Sequence, residues 1–264
     1  MRWLHESGYP VPQVHLQAGE DSPFGYPFVI MDRIDGQVMR QIMNNTPEEE
    51  QEGLLTLFCD LFVNLHNLDW RSYSESSKQI DHSDPYQYCD YWISTGRQGI
   101  QQFELQGFSE PLDWFEEKRS EIPCLRPSVV HLDFHPNNVL LRADGQAFVI
   151  DWSQVSLSDA RFDLAWTLVL AYAYMGNQWR NQILAEYERL NRAKIDRIEV
   201  FEAFACTRRL FTVVASLTHG AETFGMRPDA VESMRQQIGP LSNVYNRLQD
   251  ITGIRVPEVD RLLE

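Results

Sequence analysis

Val129-Val130-His131-Leu132-Asp133-Phe134-His135-Pro136-Asn137-Asn138-Val139-Leu140-Leu141, continuing through Arg142-Ala143-Asp144-Gly145-Gln146 to Ala147-Phe148-Val149-Ile150-Asp151-Trp152, is the stretch on which the fold turns. Val129 to Leu132 is apolar and β-branched at its start, the texture of a short strand. Val139–Leu141 and Ala147–Ile150 bracket five residues that contain Asp144-Gly145, a hairpin signal, so two short strands are predicted to fold back on each other. The densest polar cluster of the chain, residues 131–138, directly precedes this hairpin, and Asp151 closes it. The spacing predicts a loop holding Asp133 and Asn138 that faces a hairpin end holding Asp151.

Outward from this centre the texture changes. Toward the start, Gly8-Tyr9-Pro10-Val11-Pro12 reads as a turn, and Gln13–Leu16 and Tyr26–Ile34 read as strands around the turn-rich stretch 19–25. After Gly36 the chain reads as helical. Thr46-Pro47-Glu48-Glu49 has the form of a capping box with Pro at N1. Leu54, Leu57, Phe58, Leu61, Phe62 and Leu65 follow at helical spacing as far as His66. Ser83-Asp84-Pro85 and Ser109-Glu110-Pro111 mark further helix starts. Beyond Asp159, helices are predicted over 163–175, 179–192, 196–224 and 228–250, with a short closing helix from Val256-Pro257-Glu258.

Composition bounds the function. The 264 residues carry 23 Lys plus Arg against 38 Asp plus Glu, a net charge of −15. No basic surplus is present to neutralise phosphates, which argues against a nucleic-acid partner. The acidic balance favours cations, Mg²⁺ or a cationic small molecule among them. Aromatic residues make up 12% of the chain, enough for a real core and against disorder. The four cysteines, Cys59, Cys89, Cys124 and Cys206, form no C-x-x-C pair, so neither a zinc framework nor a disulfide scaffold is expected. No apolar run suits a secretory signal, and Leu164–Met175, the longest one, is too short to span ~30 Å of hydrocarbon. A cytoplasmic protein, with no membrane partner, is the plain expectation.

A loop with one carboxylate, an amide and a second carboxylate across a hairpin suits phosphoryl transfer. One carboxylate can orient and deprotonate an attacking hydroxyl, while an amide oxygen and a carboxylate hold Mg²⁺ on the phosphates. His131-x-Asp133-x-x-x-x-Asn138 followed by Ile150-Asp151-Trp152 resembles the aminoglycoside phosphotransferase and choline kinase family of kinase-like enzymes. The likeness extends to Tyr9-Pro10-Val11-Pro12, Phe28–Gly36, Leu65-His66, Asp159 and Asp163-Leu164-Ala165, in the family's order. It implies an α+β, protein-kinase-like fold, with residues 1–34 as the remnant of a small N-terminal lobe and hinge and 35–264 as a large helical C-terminal lobe. It implies ATP and Mg²⁺ as cofactors and a hydroxylated small molecule as substrate. Asp133 would be the catalytic base, and Asn138 and Asp151 the Mg²⁺ ligands. His131 and Asp163 would brace the loop, and the backbone around Met31, Asp32 and Arg33 would meet adenine. Trp152 in place of the Phe of protein kinases points to the small-molecule branch.

The resemblance also calls for a glycine-rich loop, a strand Lys and a helix Glu near the start. None is found in the sequence. The resemblance therefore implies a chain truncated at its N-terminus, with Met1 an internal methionine, reduced activity and an exposed strand edge. Three alternatives stand beside this reading. Asp133, Asn138 and Asp151 are common capping and turn residues. A kinase-like fragment lacking the nucleotide clamp would serve as a non-catalytic binding module. His131, Asp133 and His135 share one face of an extended segment, as zinc ligands do. His135 itself reads as a loop hydrogen-bonding residue, His66 as a satisfied helix-end histidine, and Trp166, Tyr172 and Tyr174 as core. The substrate and the oligomeric state stay open.

Overall fold

Apolar residues recurring at helical spacing make this a mostly helical chain, and the computed structural model describes residues 1–74, 83–224, 232, 234 and 238–264. The first half runs α1 (Arg2–Glu6), β1 (Val14–Ala18), β2 (Phe28–Met31), β3 (Gln37–Val38), α2 (Met39–Asn45), α3 (Glu52–His66), α4 (Trp70–Ser74), α5 (Gln87–Phe103) and α6 (Ser109–Lys118). The second runs β4 (Ser128–Val130), β5 (Val139–Leu141), β6 (Ala147–Val149), β7 (Ser156–Ser158), α7 (Ala160–Met175), α8 (Asn177–Asn191), α9 (Ile198–His219), α10 (Ile238–Thr252) and α11 (Pro257–Leu263). The α+β expectation holds. Among the described residues no helix is long and apolar enough to cross a membrane.

Among the described residues three small antiparallel sheets form, and strands of two of them, β4 and β5, directly flank the central loop. β5 and β6 form the expected hairpin, pairing Val139 with Val149 and Leu141 with Ala147. Its turn closes through Gly145 N–H to Arg142 O (3.0 Å), with Gly145 at φ +85°, a conformation that favours glycine. β3 adds to this hairpin, Gln37 opposite Leu141 and Val38 opposite Leu140. Gly36 just before it lies so close to the hairpin that a Cβ there would stand 2.8 Å from Leu141 O. β4 pairs with β7, Val129 opposite Leu157. β1 pairs with β2, with a register shift between Val14 and Leu16. β3 and β7, two and three residues long, escaped sequence reading because so short a run carries no period.

The core gathers under the loop. α3 buries Phe58, Leu61, Phe62 and Leu65 of the predicted stripe, while Leu54 and Leu57 are half-buried. Phe134 stacks flat on Phe62 (centroids 4.2 Å apart, planes 2° apart) and tilts against Phe58 (5.0 Å). α7 packs between α8, α9 and α10 and starts where Asp159 Oδ1 accepts the Arg161 N–H at 2.9 Å, a side-chain N-cap.

Several boundaries differ from the sequence reading. The capping box at Thr46 does not form. Thr46 ends α2, its hydroxyl donating back to Ile42 O (2.8 Å), and a 3₁₀ turn at Glu48–Glu50 intervenes before α3 begins at Glu52. Gln51 joins the two helices by donating to Met43 O and Thr46 O. The strand predicted over Tyr26–Ile34 is ordered as a ladder only over Phe28–Met31. α7 starts three residues before Asp163 and α8 two before Trp179. α9 stops at His219, where Gly220 at φ +93° turns the chain out of the helix. The predicted helix start at Pro228 lies outside the described residues.

Candidate active site

The loop after β4 is built from alternating commitments. His131, Leu132 and Phe134 are buried, and only Asp133 between them keeps access to solvent, its side chain 31% exposed. Leu132 takes φ +61° and Asp151 φ +62°, left-handed conformations that cost non-glycine residues energy and persist only where surroundings impose them. Asp163 imposes the first. Fully buried in the first turn of α7, it accepts the His131 N–H at Oδ2 (2.6 Å) and the Leu132 N–H at Oδ1 (2.8 Å). His66, ending α3, sets its Nε2 3.3 Å from Asp163 Oδ2 and its Nδ1 2.7 Å from the Tyr187 hydroxyl. Thr167, one turn along α7, donates to Phe134 O (2.6 Å).

The His131 ring ties the loop to the hairpin. Its Nε2 lies 2.9 Å from Ile150 O and its Nδ1 3.3 Å from Asp133 N, so a proton on Nε2 satisfies both contacts. This engagement, with no group of three or more His, Cys, Asp or Glu placed to hold a metal among the described residues, removes the zinc reading. Asn138, buried at the start of β5, donates from Nδ2 to Asp133 O (3.0 Å), and its own carbonyl accepts the Ile150 N–H (2.9 Å). Asp151 follows Ile150 directly, so Asn138 and Asp151 stand at adjoining ends of the two hairpin strands, with Asp151 exposed. An amide oxygen and a carboxylate at one strand end form a hard oxygen donor set, which fits Mg²⁺.

Burial alone would raise the Asp133 pKa. The His135 ring, 3.4 Å from Oδ2, and the Trp166 indole N–H, donating to Oδ1 at 2.9 Å, outweigh it and bring the carboxyl down to about 2. Asp133 opens into a cavity of about 380 Å³, with His135, Trp166, Thr167, Arg40 and Arg209 among its walls. Met31, Asp32 and Arg33 do not line that cavity. They are exposed at the end of β2, where Asp32 Oδ1 lies 2.6 Å from His15 Nε2. The structure thus joins Asp133, Asn138, His131 and Asp163 by hydrogen bonds, sets Asp151 beside Asn138, and places Met31–Arg33 elsewhere on the surface.

Trp166 is the functional-looking residue that sequence reading assigned to the core. It is buried, but its N–H serves Asp133, and Tyr174 from the same set is 41% exposed on the cavity. A signal was present, since Trp166 and Thr167 lie three and four residues after Asp163, on the same helix face. Arg40 and Arg209 had none, since neither a lone arginine on α2 nor an Arg208-Arg209 pair on α9 shows from sequence which way it faces.

Comparison with known proteins agrees with this architecture. The profile of APH, the phosphotransferase enzyme family, matches residues 1–201. No curated protein sequence matches the chain. Among solved structures, a Ralstonia eutropha JMP134 protein provisionally described as an aminoglycoside phosphotransferase is similar with a TM-score of 0.69 at 16% identity, covering 94% of this chain and 80% of that one. A Plasmodium vivax ethanolamine kinase gives 0.59 at 12% identity, over 92% and 72% of the two chains. Choline kinase LicA from Streptococcus pneumoniae gives 0.55 at 16% identity, over 90% and 76%. The fold is the kinase-like one shared by these proteins.

Proposed function

The chain belongs to the phosphotransferase enzyme family, and from that premise we propose that it transfers the terminal phosphoryl group of ATP, with Mg²⁺, to a hydroxyl of a small molecule at Asp133. The observation that carries this reading is Asp133 itself: a carboxylate held ionised, fixed by Trp166 and aimed into a cavity from a loop hydrogen-bonded along its other side. A carboxylate with so low a pKa is a weak base. It serves first as an acceptor that orients the substrate hydroxyl along the line of attack, and takes the proton late, as the new O–P bond forms. Asn138 and Asp151 are the residues to hold Mg²⁺. The ion, when bound, offsets the negative charge of the phosphates. His131 and Asp163 keep Asp133 at its height above the core, a positioning role.

In this reading residues 1–34 belong to a small lobe and 35–264 to the large one, with the backbone of Met31, Asp32 and Arg33 offered to the adenine edge. The four cysteines are free and buried, which suits a reducing, ATP-rich compartment, the cytoplasm. The test is direct. Purified chain is incubated with γ-labelled ATP, Mg²⁺ and a panel of hydroxylated acceptors, and labelled product is followed beside Asp133→Asn. Acceptor-dependent product lost in Asp133→Asn supports the proposal. Equal product from both proteins refutes it, and binding of Mg²⁺·ATP with no transfer to any acceptor would favour a non-catalytic binding module.

A further inference from the structure

Among the described residues, half-buried arginines elsewhere have carboxylate partners close at hand. Arg161 pairs with Asp159 (2.6 Å), and Arg180 and Arg247 close on the buried Glu202 (2.6 and 2.7 Å). Around the Asp133 cavity the pattern breaks. Arg40 lines it with Nη1 buried and without any hydrogen-bond partner. Arg209 lines it with only the Tyr174 hydroxyl, 3.1 Å from Nη2. Arg208, beside Arg209 in sequence, lies face-on to Trp166 at 4.5 Å from the ring centre, and its Nη2 reaches only the neutral Gln154 Oε1 (2.7 Å). None of the three makes an ion pair among the described residues.

Burying a guanidinium nitrogen without a partner is costly, and the partial burial of Arg40 lowers its pKa. In a chain with 15 more acidic than basic residues, a carboxylate neighbour for each would be cheap. Asp133 is the one carboxylate in the cavity lining against the two guanidinium groups of Arg40 and Arg209, so a positive charge is left for a ligand to meet. We propose that the cavity beside Asp133 takes a small hydroxylated acid, its carboxylate or phosphate met by Arg40 and Arg209 and its hydroxyl by Asp133. The planar guanidinium fork binds either oxyanion bidentately. Leu170, Ala171, Met175 and Ile183 supply an apolar wall for the stem between the two groups. Net charge alone favours a cationic substrate; the cavity carries the opposite sign. The position of the hydroxyl rests on the phosphotransferase reading, whereas the sign of the charge rests on the cavity.

Three four-carbon alcohols of equal length separate charge from size: 4-hydroxybutyrate, 1,4-butanediol and 4-amino-1-butanol. Glycerol 3-phosphate adds the phosphate arm. Binding to the nucleotide-free chain is measured by calorimetry or thermal shift. At least one of the two acids should bind tenfold or more tightly than the diol, with the amino alcohol weakest, and the better acid identifies carboxylate or phosphate. Arg40→Gln and Arg209→Gln should each weaken acid binding roughly tenfold to a hundredfold, the range for a charged hydrogen bond. The Tm of the free variants should stay level or rise, since each loses an unpaired charge.

Equal or tighter binding of the diol or the amino alcohol overturns the proposal, as does acid binding that survives in both variants. In steady state, a raised KM for ATP with an unchanged acceptor KM in Arg40→Gln reassigns that arginine to the nucleotide and also overturns it. Efficient phosphorylation of the amino alcohol sinks the acid assignment while leaving the phosphotransferase reading intact. Arginine-dependent acid binding without transfer to any acceptor sustains the assignment and sinks the phosphotransferase reading instead.

Discussion

The two sides of the loop 131–138 are built on opposite terms. Its underside is saturated: Asp163 takes two backbone N–H groups and faces His66, Thr167 holds Phe134 O, and Phe134 lies flat on Phe62. Its upper side is left open: Asp133 meets the Trp166 indole N–H, the His135 ring and, at 3.5 Å, the Asn138 amide, and beyond them lies a cavity whose arginines make no ion pair among the described residues. The two aspartates differ in what surrounds them rather than in chemistry. A carboxylate whose lone pairs are spent on backbone N–H groups holds structure. One that keeps a face toward a cavity, at a low pKa, is free to meet a substrate. Closure beneath makes openness above possible, because a loop carrying a left-handed Leu132 would relax without Asp163.

The largest expected effect tests the upper side. Asp133→Asn should reduce kcat by at least roughly a thousandfold, about 4 kcal/mol of barrier, because the amide neither accepts the proton nor orients the hydroxyl as a carboxylate does. Far-ultraviolet circular dichroism should stay unchanged. Turnover within tenfold of the unaltered chain would erase the distinction between the two sides.

Asp163→Asn tests the underside. Its amide NH₂ must oppose either the His131 or the Leu132 N–H, leaving a buried donor unpaired, so stability should fall by about 2–4 kcal/mol. Urea unfolding measures this. A loss below about 1 kcal/mol would show that the loop is held by packing on Phe62 rather than by the carboxylate.

Trp166→Phe joins the two sides, since this residue sits on the same face of α7 as Asp163 and serves Asp133. Removing the indole N–H should raise the Asp133 pKa and lower kcat/KM about tenfold, with little change in stability. An unchanged kcat/KM would leave Asp133 fixed by His135 and the loop backbone alone.

What was legible in the sequence follows the same division. The underside could be read in outline, because saturated structure leaves patterns: the helical stripe of α3, the Asp-Gly hairpin, and the spacing that ties His131, Asp133, Asn138 and Asp151 into one motif. The capping box at Thr46 misled because an N-cap signature also describes a residue that ends the preceding helix, and local spacing does not say which way a hydroxyl turns. The upper side was largely unreadable. Arg40 lies on α2, which packs on the turn at 136–138 and on β5, and Arg209 lies 169 positions later on α9, which packs on α7; only tertiary packing brings them to one cavity. Net charge says little about the substrate for a related reason, since −15 averages over a surface while substrate meets the charges of one pocket.

The smallest effect is in the pH dependence of stability, and it sharpens the contrast most finely. Asp133 is depressed from 3.8 to about 2 in the folded chain, so its ionised form is favoured by folding. The contribution is present in full above the unfolded pKa near 4 and disappears as pH falls through about 2. Screening on a side chain 31% exposed limits it to about 1 kcal/mol. Other carboxylates lose stability over the same window, so the informative quantity is the difference between the unaltered chain and Asp133→Asn. At pH 7 the variant should be the less stable by about that amount, and the gap should close between pH 4 and 2. A variant more stable at pH 7 would mean that Asp133 is strained in the absence of substrate. The upper side would then be held open against folding, and the His135 and Trp166 contacts would fall short of the cost of burial.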